Sequence, residues 1–436
     1  TVNNSTSLIG LDPIAIGDLI WAPLLIILLK VVVVFVIGLV ATMLMVWFER
    51  KAIAGMGNRI GPNKAGPWGL LQTLADGIKL FFKEDLLPDR ADRFVFKLAP
   101  YLAFVPAFLV WAVIPLGGDF SDGKDGLVTW FGQATRVQLA DPPIGVLLLL
   151  ALSSIAVYGI MLAGWSSGSK YPLLGSVRAS AQMVSYEAAL GLSIATVILM
   201  AGTLSTSGIV GNQTSFTDWH VVSTGIIPFI IFMLAATAEM NRPPFDLVEA
   251  EQELVGGYNT EYSSIRFGLF FLAEFMNTIT MSGIIVTLFF GGPQGLFNIP
   301  GIPGAIEGSI WLIAKVLVFL YIYVWMRATL PRFRYDQLMD LGWKILIPVS
   351  ILWILVVATL RVLSLQNAPR LIIVAFASSV VFIIMAANIG FENAKKKKEQ
   401  SIAEGDNKAA PKFAVPSLPM EVSTINVSQK VGDNRE

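Results

Sequence analysis

Long apolar runs are the feature of this sequence that most restricts its fold. A helix needs about 20 apolar residues to cross the hydrocarbon core of a bilayer, and runs of roughly that length recur along the chain. A membrane β-barrel would show alternating segments of about 10 residues instead. The sequence therefore predicts an all-α, polytopic transmembrane protein with about nine transmembrane helices. The predicted spans are 19–47, 97–117, 143–164, 180–203, 222–240, 265–290, 309–328, 344–363 and 370–390.

The composition restricts the function. The 436 residues carry no net charge, which gives no indication of a nucleic-acid partner. The chain has no cysteine, which excludes disulfides and iron–sulfur clusters held by thiolates of this chain. Its single histidine, His220, stands beside Trp219 outside the long apolar runs. We expect His220 to be a surface loop residue and not a ligand.

The distribution of basic residues predicts the orientation. Lysine and arginine concentrate in loops 48–97, 165–179 and 327–344, whereas the three loops expected on the opposite side hold only Lys124 and Arg136. Basic loops face the cytoplasm in most membrane proteins. The sequence thus predicts an N-terminus outside and a C-terminus in the cytoplasm.

The expected organisation has four parts. Residues 1–18 form an N-terminal extracytoplasmic segment, and residues 19–364 form an eight-helix core with cytoplasmic loops at 48–97, 240–265 and 327–344. An extra ninth transmembrane helix occupies 365–390. Residues 391–436 are polar and lack apolar periodicity, so they are expected to be a disordered cytoplasmic tail.

The first basic loop contains a second kind of helix. After the Gly- and Pro-rich turn GNRIGPNKAGPWG, the stretch LLQTLADGIKLFFK places apolar residues at helical spacing and polar residues on the other side. This pattern predicts an amphipathic helix that lies along the membrane surface. The helix is either a plain interfacial anchor or the wall of a cavity that opens toward the cytoplasm.

Carboxylates gather in the stretch EMNRPPFDLVEAEQELVGGYNTEY at 239–262. We expect a helix that begins with Asn241 as its cap and ends at Gly256. Asp246, Glu249 and Glu253 would then share one face at i, i+3 and i+7. Buried carboxylates placed so close together are suited to a proton relay, although a solvated acidic loop is the alternative.

Further charges fall within the predicted spans. Glu187, Glu239 and Glu274 interrupt apolar runs, and intramembrane carboxylates commonly mark ion or proton pathways. Lys315 lies in IWLIAKVLVFL. It could partner one of these carboxylates, or it could extend toward the membrane surface.

Three long motifs resemble a known family. ERKAIAGMGNRIGPNKAGPWGLLQTLADGIKLFFKED, AEMNRPPFDLVEAEQELVGGYNTEYSSIRFGLFFLAEF and RATLPRFRYDQLMDLGWK are similar, in this order, to the first, third and fourth cytoplasmic loops of one membrane-subunit family of respiratory complex I. The family is called NuoH in bacteria and NADH dehydrogenase subunit 1 in mitochondria. The resemblance covers about 18–364. The ninth span and the tail lie beyond it.

The resemblance implies a membrane subunit of a proton-translocating NADH:quinone oxidoreductase. Subunits of this family form the quinone-binding chamber at the junction with the peripheral arm and begin the acidic proton-coupling path. The resemblance further implies that this chain carries no redox centre. Its substrate would be ubiquinone or menaquinone, with no covalently bound cofactor, while FMN and iron–sulfur clusters would belong to partner subunits.

The resemblance also assigns roles to individual positions. It implies quinone-binding positions at Glu49, Arg50, Arg59, Asp76, Lys79, Arg327, Arg332 and Arg334. It implies proton-coupling positions at Glu187, Glu239, Asp246, Glu249, Glu251, Glu253 and Glu261. Glu274 matches an acidic position with a less defined role. No catalytic residue and no metal site is expected in this chain.

The expected partners are the peripheral-arm subunits at the quinone site, the neighbouring membrane-arm subunits and membrane lipids. The expected location is a bacterial plasma membrane. Two other functions stay open: an equivalent subunit of a related complex that uses a donor other than NADH, and a standalone secondary transporter. Transporters often show inverted repeats, and no internal repeat is evident in this sequence.

Overall fold

The computed structural model describes residues 21–120, 126–130, 133–246, 255–297 and 303–365. The predicted N-terminal segment, the predicted ninth span and the predicted tail lie outside these residues, as do Glu249, Glu251 and Glu253. The described part of the chain is almost entirely helical.

The described residues contain twelve α-helices and one short hairpin, together with three single 3-10 turns at Pro67–Gly69, Phe216–Asp218 and Gly257–Asn259. The helices are α1 (Trp21–Met56), α2 (Gln72–Phe82), α3 (Arg93–Trp111), α4 (Gly145–Ser166), α5 (Lys170–Ala201), α6 (Thr206–Gly211), α7 (His220–Ser223), α8 (Ile226–Glu239), α9 (Ser264–Phe289), α10 (Gly304–Thr329), α11 (Tyr335–Asp340) and α12 (Ile347–Leu365). A π-helical turn, Leu341–Leu346, joins α11 to α12. Strands β1 (Leu127–Trp130) and β2 (Gln133–Arg136) pair antiparallel, with Leu127 opposite Arg136.

Seven helical segments within the described residues are long and apolar enough to cross a membrane. They confirm an all-α, polytopic membrane protein, and the amphipathic helix of the first loop is present as α2. The predicted span 222–240 differs, because it is divided into α7 and the 14-residue α8. Gly225 separates the two with a φ of 83°, a conformation that favours glycine, and the Trp353 ring packs against it.

The bundle is tightest around α9, whose apolar stretch is largely buried, whereas α1 exposes most of its apolar surface. Close helix approach depends on small residues, as is usual in membranes. A Cβ atom on Gly159 of α4 would lie 2.6 Å from the Ala103 main-chain nitrogen of α3. Helices α3, α4, α5 and α9 therefore surround a close-packed interior in which any polar group needs a partner.

The loops separate into two groups. Contacts between Arg242 and Glu49, and between Arg332 and Asp246, bring loops 48–97, 240–265 and 327–344 together at one end of the bundle. We call this the basic end. At the opposite end, Gln138 Nε2 donates to Thr206 Oγ1 at 2.8 Å, which joins the hairpin loop to α6.

His220 is buried, so the expectation of a surface loop residue is wrong. Its side chain is 4% exposed, and its main-chain N–H donates to Gln213 Oε1 at 3.2 Å. The segment before α8 folds back over the end of α9 instead of extending into solvent. Burial lowers the pKa of His220 to about 4, so the ring is neutral at pH 7.

Lys315 fastens the turn that follows α9. Its ammonium donates to three main-chain carbonyls, those of Phe290 at 2.7 Å, Gly292 at 3.1 Å and Gln294 at 2.6 Å, and it lies 4.6 Å from the Trp219 ring centroid. The last carbonyls of a helix lack intrahelical donors and carry partial negative charge. Both predictions for Lys315, a carboxylate partner and an extension toward the surface, are therefore wrong. The ammonium instead binds carbonyls at the end of α9 and in the turn that follows it.

We predict that Lys315→Met destabilises the protein. Methionine fills similar space but donates no hydrogen bond, and each buried carbonyl left without a donor costs about 1–3 kcal/mol. The measurement is the thermal unfolding midpoint of the detergent-solubilised protein. Lys344→Met is the matched control, because the ion pair of Lys344 with Asp340 is exposed. Equal midpoints for the two variants would contradict the assigned role.

Candidate functional site

A buried carboxylate at the end of α1 is the centre of the basic end. Glu49 is 5% exposed. Arg242 Nη1 donates to both of its oxygens, at 3.1 Å to Oε1 and 2.9 Å to Oε2. Arg327, near the end of α10, also pairs with Glu49. One carboxylate thus holds together three segments that are far apart in sequence.

Arg242 extends the same network to α9. Its Nε lies 2.9 Å from Glu274 Oε1, and its Cζ lies 4.2 Å from the Phe275 ring centroid. The Arg242 side chain is itself 5% exposed. Attraction between charges strengthens in such a low-dielectric interior, and the planar guanidinium can bind two carboxylates at once. Arg242 therefore links the carboxylate of α1 to that of α9.

A turn at the end of α8 places Arg242. Asn241 has a φ of 51°, the left-handed conformation in which asparagine often ends a helix, and the Arg242 N–H donates to Thr237 O. Gln182 Nε2 fixes the turn from α5 by donating to Phe245 O at 2.9 Å. The expected helix start at Asn241 is therefore wrong, because residues 240–246 form turns.

Asp246 ties this turn to the loop after α10. It is 2% exposed, and its Oδ2 lies 3.3 Å from Arg332 Nη2. Nearby, the Phe333 N–H donates to Pro244 O at 3.1 Å. Arg334 follows as an exposed residue at the start of α11. The basic loop 327–344 is thus held against the acidic turn.

Helix α2 lies beside this network. Arg50 Nη1 contacts Asp76 Oδ2 at 2.6 Å, and Gln72 Nε2 donates to the same carboxylate at 3.2 Å. Ser264 Oγ donates to Leu80 O and Lys83 O, which fixes α2 to the start of α9. The apolar face of α2 is exposed along its length, at Leu71, Leu74, Ile78, Phe81 and Phe82. Arg59 and Lys79 are also exposed.

Two further carboxylates lie deeper in the bundle. Glu239 is 5% exposed at the end of α8, and it borders a cavity of about 30 Å³ that Glu274 also borders. Glu187 on α5 accepts a hydrogen bond from the Ser154 hydroxyl of α4. Acidic groups therefore extend from Glu49 inward to Glu187.

Glu261 lies apart from these groups on the loop before α9. Its neighbour Tyr262 is buried, donates from its hydroxyl to Phe96 O at 3.2 Å and stacks on the Phe96 ring. Burial raises the pKa of Tyr262 to about 12. This part of the loop therefore anchors α9 to α3.

The structure brings together some of the residues expected from sequence and leaves the others apart. Five of them take part in the contacts of the buried turn and its surroundings: Glu49, Arg327, Asp246, Arg332 and Glu239. Arg50 and Asp76 pair with each other at the edge of this region. Arg242 joins the network but was absent from the expected residues. An arginine three positions after Glu239, next to an apolar run, was the signal that could have identified it, since a buried carboxylate needs a cation.

We predict that Arg242→Met destabilises the solubilised protein by about 3–5 kcal/mol, because removing one partner leaves buried charge without compensation. Arg242→Lys should lie between this variant and the parent, since lysine keeps the charge without the planar fork. The measurement is thermal unfolding followed by tryptophan fluorescence. Arg50→Met, which breaks an ion pair that is 44% exposed on the arginine side, is the control and should change little. Equal effects of Arg242→Met and Arg50→Met would show that Arg242 is not a structural centre.

Comparison with known proteins identifies the family of this chain. A family model described as NADH dehydrogenase matches residues 29–358. Relatives named as the H subunit of NADH-quinone oxidoreductase are 49% identical in Frankia alni, over 88% of this chain and 83% of the relative, and 44% identical in Streptomyces avermitilis, over 91% and 88%. These alignments are longer than the stretch 18–364 covered by the motifs, so part of the flanking sequence is shared as well. The chain therefore belongs to the NADH dehydrogenase family of multi-pass membrane proteins, as a membrane subunit of the enzyme NADH-quinone oxidoreductase (complex I), whose other subunits are its partners.

Proposed function

We propose that this subunit forms the quinone-binding chamber of complex I at its basic end and begins the acidic path that couples quinone reduction to proton translocation. The observation that carries the proposal is the buried network Glu49–Arg242–Glu274. It joins the loop that holds α2 to the interior carboxylates through one guanidinium.

The site suits an isoprenoid quinone, ubiquinone or menaquinone, as a substrate that is not covalently bound. A quinone tail needs an apolar surface open to lipid, and its headgroup needs a few polar partners at the inner end. The exposed apolar faces of α1 and α2 supply the first. The groups Glu49, Arg50, Asp76 and Arg327 supply the second, with Arg59, Lys79, Arg332 and Arg334 nearby in sequence.

Proton coupling follows from the chemistry of the substrate. Reduction of a quinone to a quinol takes up two protons, so protonation changes near the headgroup are unavoidable. In the proposal these changes act on the carboxylates at Glu187, Glu239 and Asp246. Glu249, Glu251, Glu253 and Glu261 of the acidic loop belong to the same path.

The electrons come from other subunits. The chain contains no cysteine to hold an iron–sulfur cluster. As the family resemblance implies, the clusters and the FMN are assigned to partner subunits of the peripheral arm. In this arrangement the basic end faces the cytoplasm of a bacterial cell, where that arm docks, and lipid surrounds α1. The basic loops support the orientation, and the Frankia and Streptomyces relatives support the bacterial membrane.

The experiment purifies the complex through a tag on this chain and measures NADH-dependent quinone reduction. Glu49→Gln should lower this rate about tenfold or more, because losing hydrogen bonds to a charged group costs about 1.5–3 kcal/mol. NADH oxidation by a soluble acceptor that takes electrons from the peripheral arm should be unchanged. Asp340→Asn, an exposed carboxylate change on the same side, is the control. A Glu49→Gln complex that reduces quinone at the parent rate would argue against the chamber.

The coupling part of the proposal has its own test. In vesicles, Glu239→Gln should lower the number of protons translocated per quinone reduced, because an amide cannot release a proton. Glu249→Gln and Glu253→Gln examine the acidic loop by the same measurement. Parent proton yields in Glu239→Gln would remove Glu239 from the path.

A further inference from the structure

Two cavities lie on either side of Glu239 in the interior between α3, α4, α5 and α9. The first measures about 30 Å³, and its polar lining includes Asn241, Glu274 and Asn277. The second measures about 20 Å³, and its polar lining includes Ser153 and Asn277. Glu239 and Asn277 border both cavities. Asn277 therefore stands where the two meet.

Both cavities have the properties of a water site. A buried water needs about 10–15 Å³ and two to four polar partners. The first cavity is large enough for about two waters and the second for one. Each is bordered by a carboxyl group and a carboxamide, whereas dry cavities in proteins have apolar walls.

Polar groups without partners face these cavities. Glu239 is 95% buried, and its Oε2 has no hydrogen-bond partner among the described residues. The Asn277 amide likewise makes no hydrogen bond to the described part of the chain. Buried polar atoms almost always have a partner, so ordered water is the partner that the cavities can supply.

We propose that Asn277 is a positioning residue that joins the waters of the two cavities into one file, which runs from Glu274 at the first cavity past Glu239 to Ser153 at the second. The inference rests on the proposed proton-coupling function. A carboxamide can accept a hydrogen bond at its oxygen and donate from its nitrogen at the same time. Asn277 therefore orients a water on each side without gaining or losing a proton.

The transfer conserves protons. An O–H bond of one protonated carboxyl breaks, each water in the file passes on one proton as it receives another, and an O–H bond forms on the other carboxylate. Asn277 ends the transfer unchanged, and no oxidant or reductant is needed. At the second cavity, Ser153 is followed in the chain by Ser154, whose hydroxyl donates to Glu187.

The file does not extend toward the opposite end of the bundle. A third cavity, of about 10 Å³, lies beyond the second and shares Leu149 and Ile284 with it. Its two hydroxyl residues are bound to main-chain carbonyls, Thr206 to Val113 and Thr287 to Gly283. Its other lining residues are aliphatic, so the file ends at the second cavity.

The test begins with the intact parent complex, in a density map sharp enough to show ordered water. We expect water density in both cavities and in contact with Asn277. Cavities without water density would overturn the proposal, whatever proton yields the variants show. This observation does not depend on quinone reduction, so its failure and that of the proposed function can be distinguished.

Variants then test the role of the amide. Asn277→Leu keeps the branched shape of the side chain but removes the donor and the acceptor. The waters then have fewer than the two to four partners they need, so protons translocated per quinone should fall about twofold or more. Asn277→Ser keeps a hydroxyl and makes room for another water, and it should retain most of the yield. Thr287→Val, on the same helix but outside the file, is the matched control and should match the parent.

NADH oxidation by a soluble acceptor, measured in every variant, reports assembly of the peripheral arm. Parent proton yield in an assembled Asn277→Leu complex would overturn the proposal. If Asn277→Leu does not assemble, Asn277→Ser decides between a structural and a water-positioning role. Loss of yield in the serine variant, with water still ordered in both cavities, would mean that Asn277 does not act through water.

Discussion

The Arg242 guanidinium is the group on which the polar end of this subunit depends. It contacts Glu49 of α1 through Nη1 and Glu274 of α9 through Nε, and the Phe275 ring covers its face. All of these groups are largely removed from water, where unpaired charges are costly. The ion pairs of Arg242 with Glu49 and Glu274 therefore fix the relative positions of α1, α9 and the turn after α8. In the proposed function, the quinone site and the start of the coupling path then meet at a single cation.

The bilayer is the reason why the charged groups of this subunit are paired. In hydrocarbon, a polar group needs a partner inside the protein, and the described structure meets this need for its buried charges in three ways. Ion pairs hold Glu49, Glu274 and Asp246. Main-chain carbonyls hold Lys315. Polar cavities surround the oxygen of Glu239 that has no partner among the described residues. The third way leaves room for exchangeable water, which suits a group that is proposed to gain and lose protons.

The positions of the helices can be predicted from the sequence, but the contacts between them cannot. Spans such as α1 and α9 are predictable because an apolar run of that length has few other stable conformations in a membrane, and α2 because its two faces differ in polarity. The turn at Asn241 was not predictable. The residues around it are compatible with a helix start and with a helix end. The helix end is stabilised by Gln182, 59 residues away, which donates to Asn241 Oδ1 and Phe245 O. The environments of His220 and Lys315 are not predictable for the same reason, since they are formed by segments distant in the chain. The roles of Glu249, Glu251 and Glu253 stay predictions from the family resemblance.

In the proposed function, Arg242 transmits the state of the quinone site to the interior carboxylates. The most direct measurement is the number of protons translocated per quinone reduced by the purified Arg242→Lys complex in vesicles. Lysine keeps the positive charge but is a point charge without the fixed fork that binds Glu49 and Glu274 together. We therefore expect an assembled complex that still reduces quinone and translocates fewer protons for each turnover. A parent proton yield at a reduced turnover rate would place Arg242 in the quinone site alone and contradict its role as the connection.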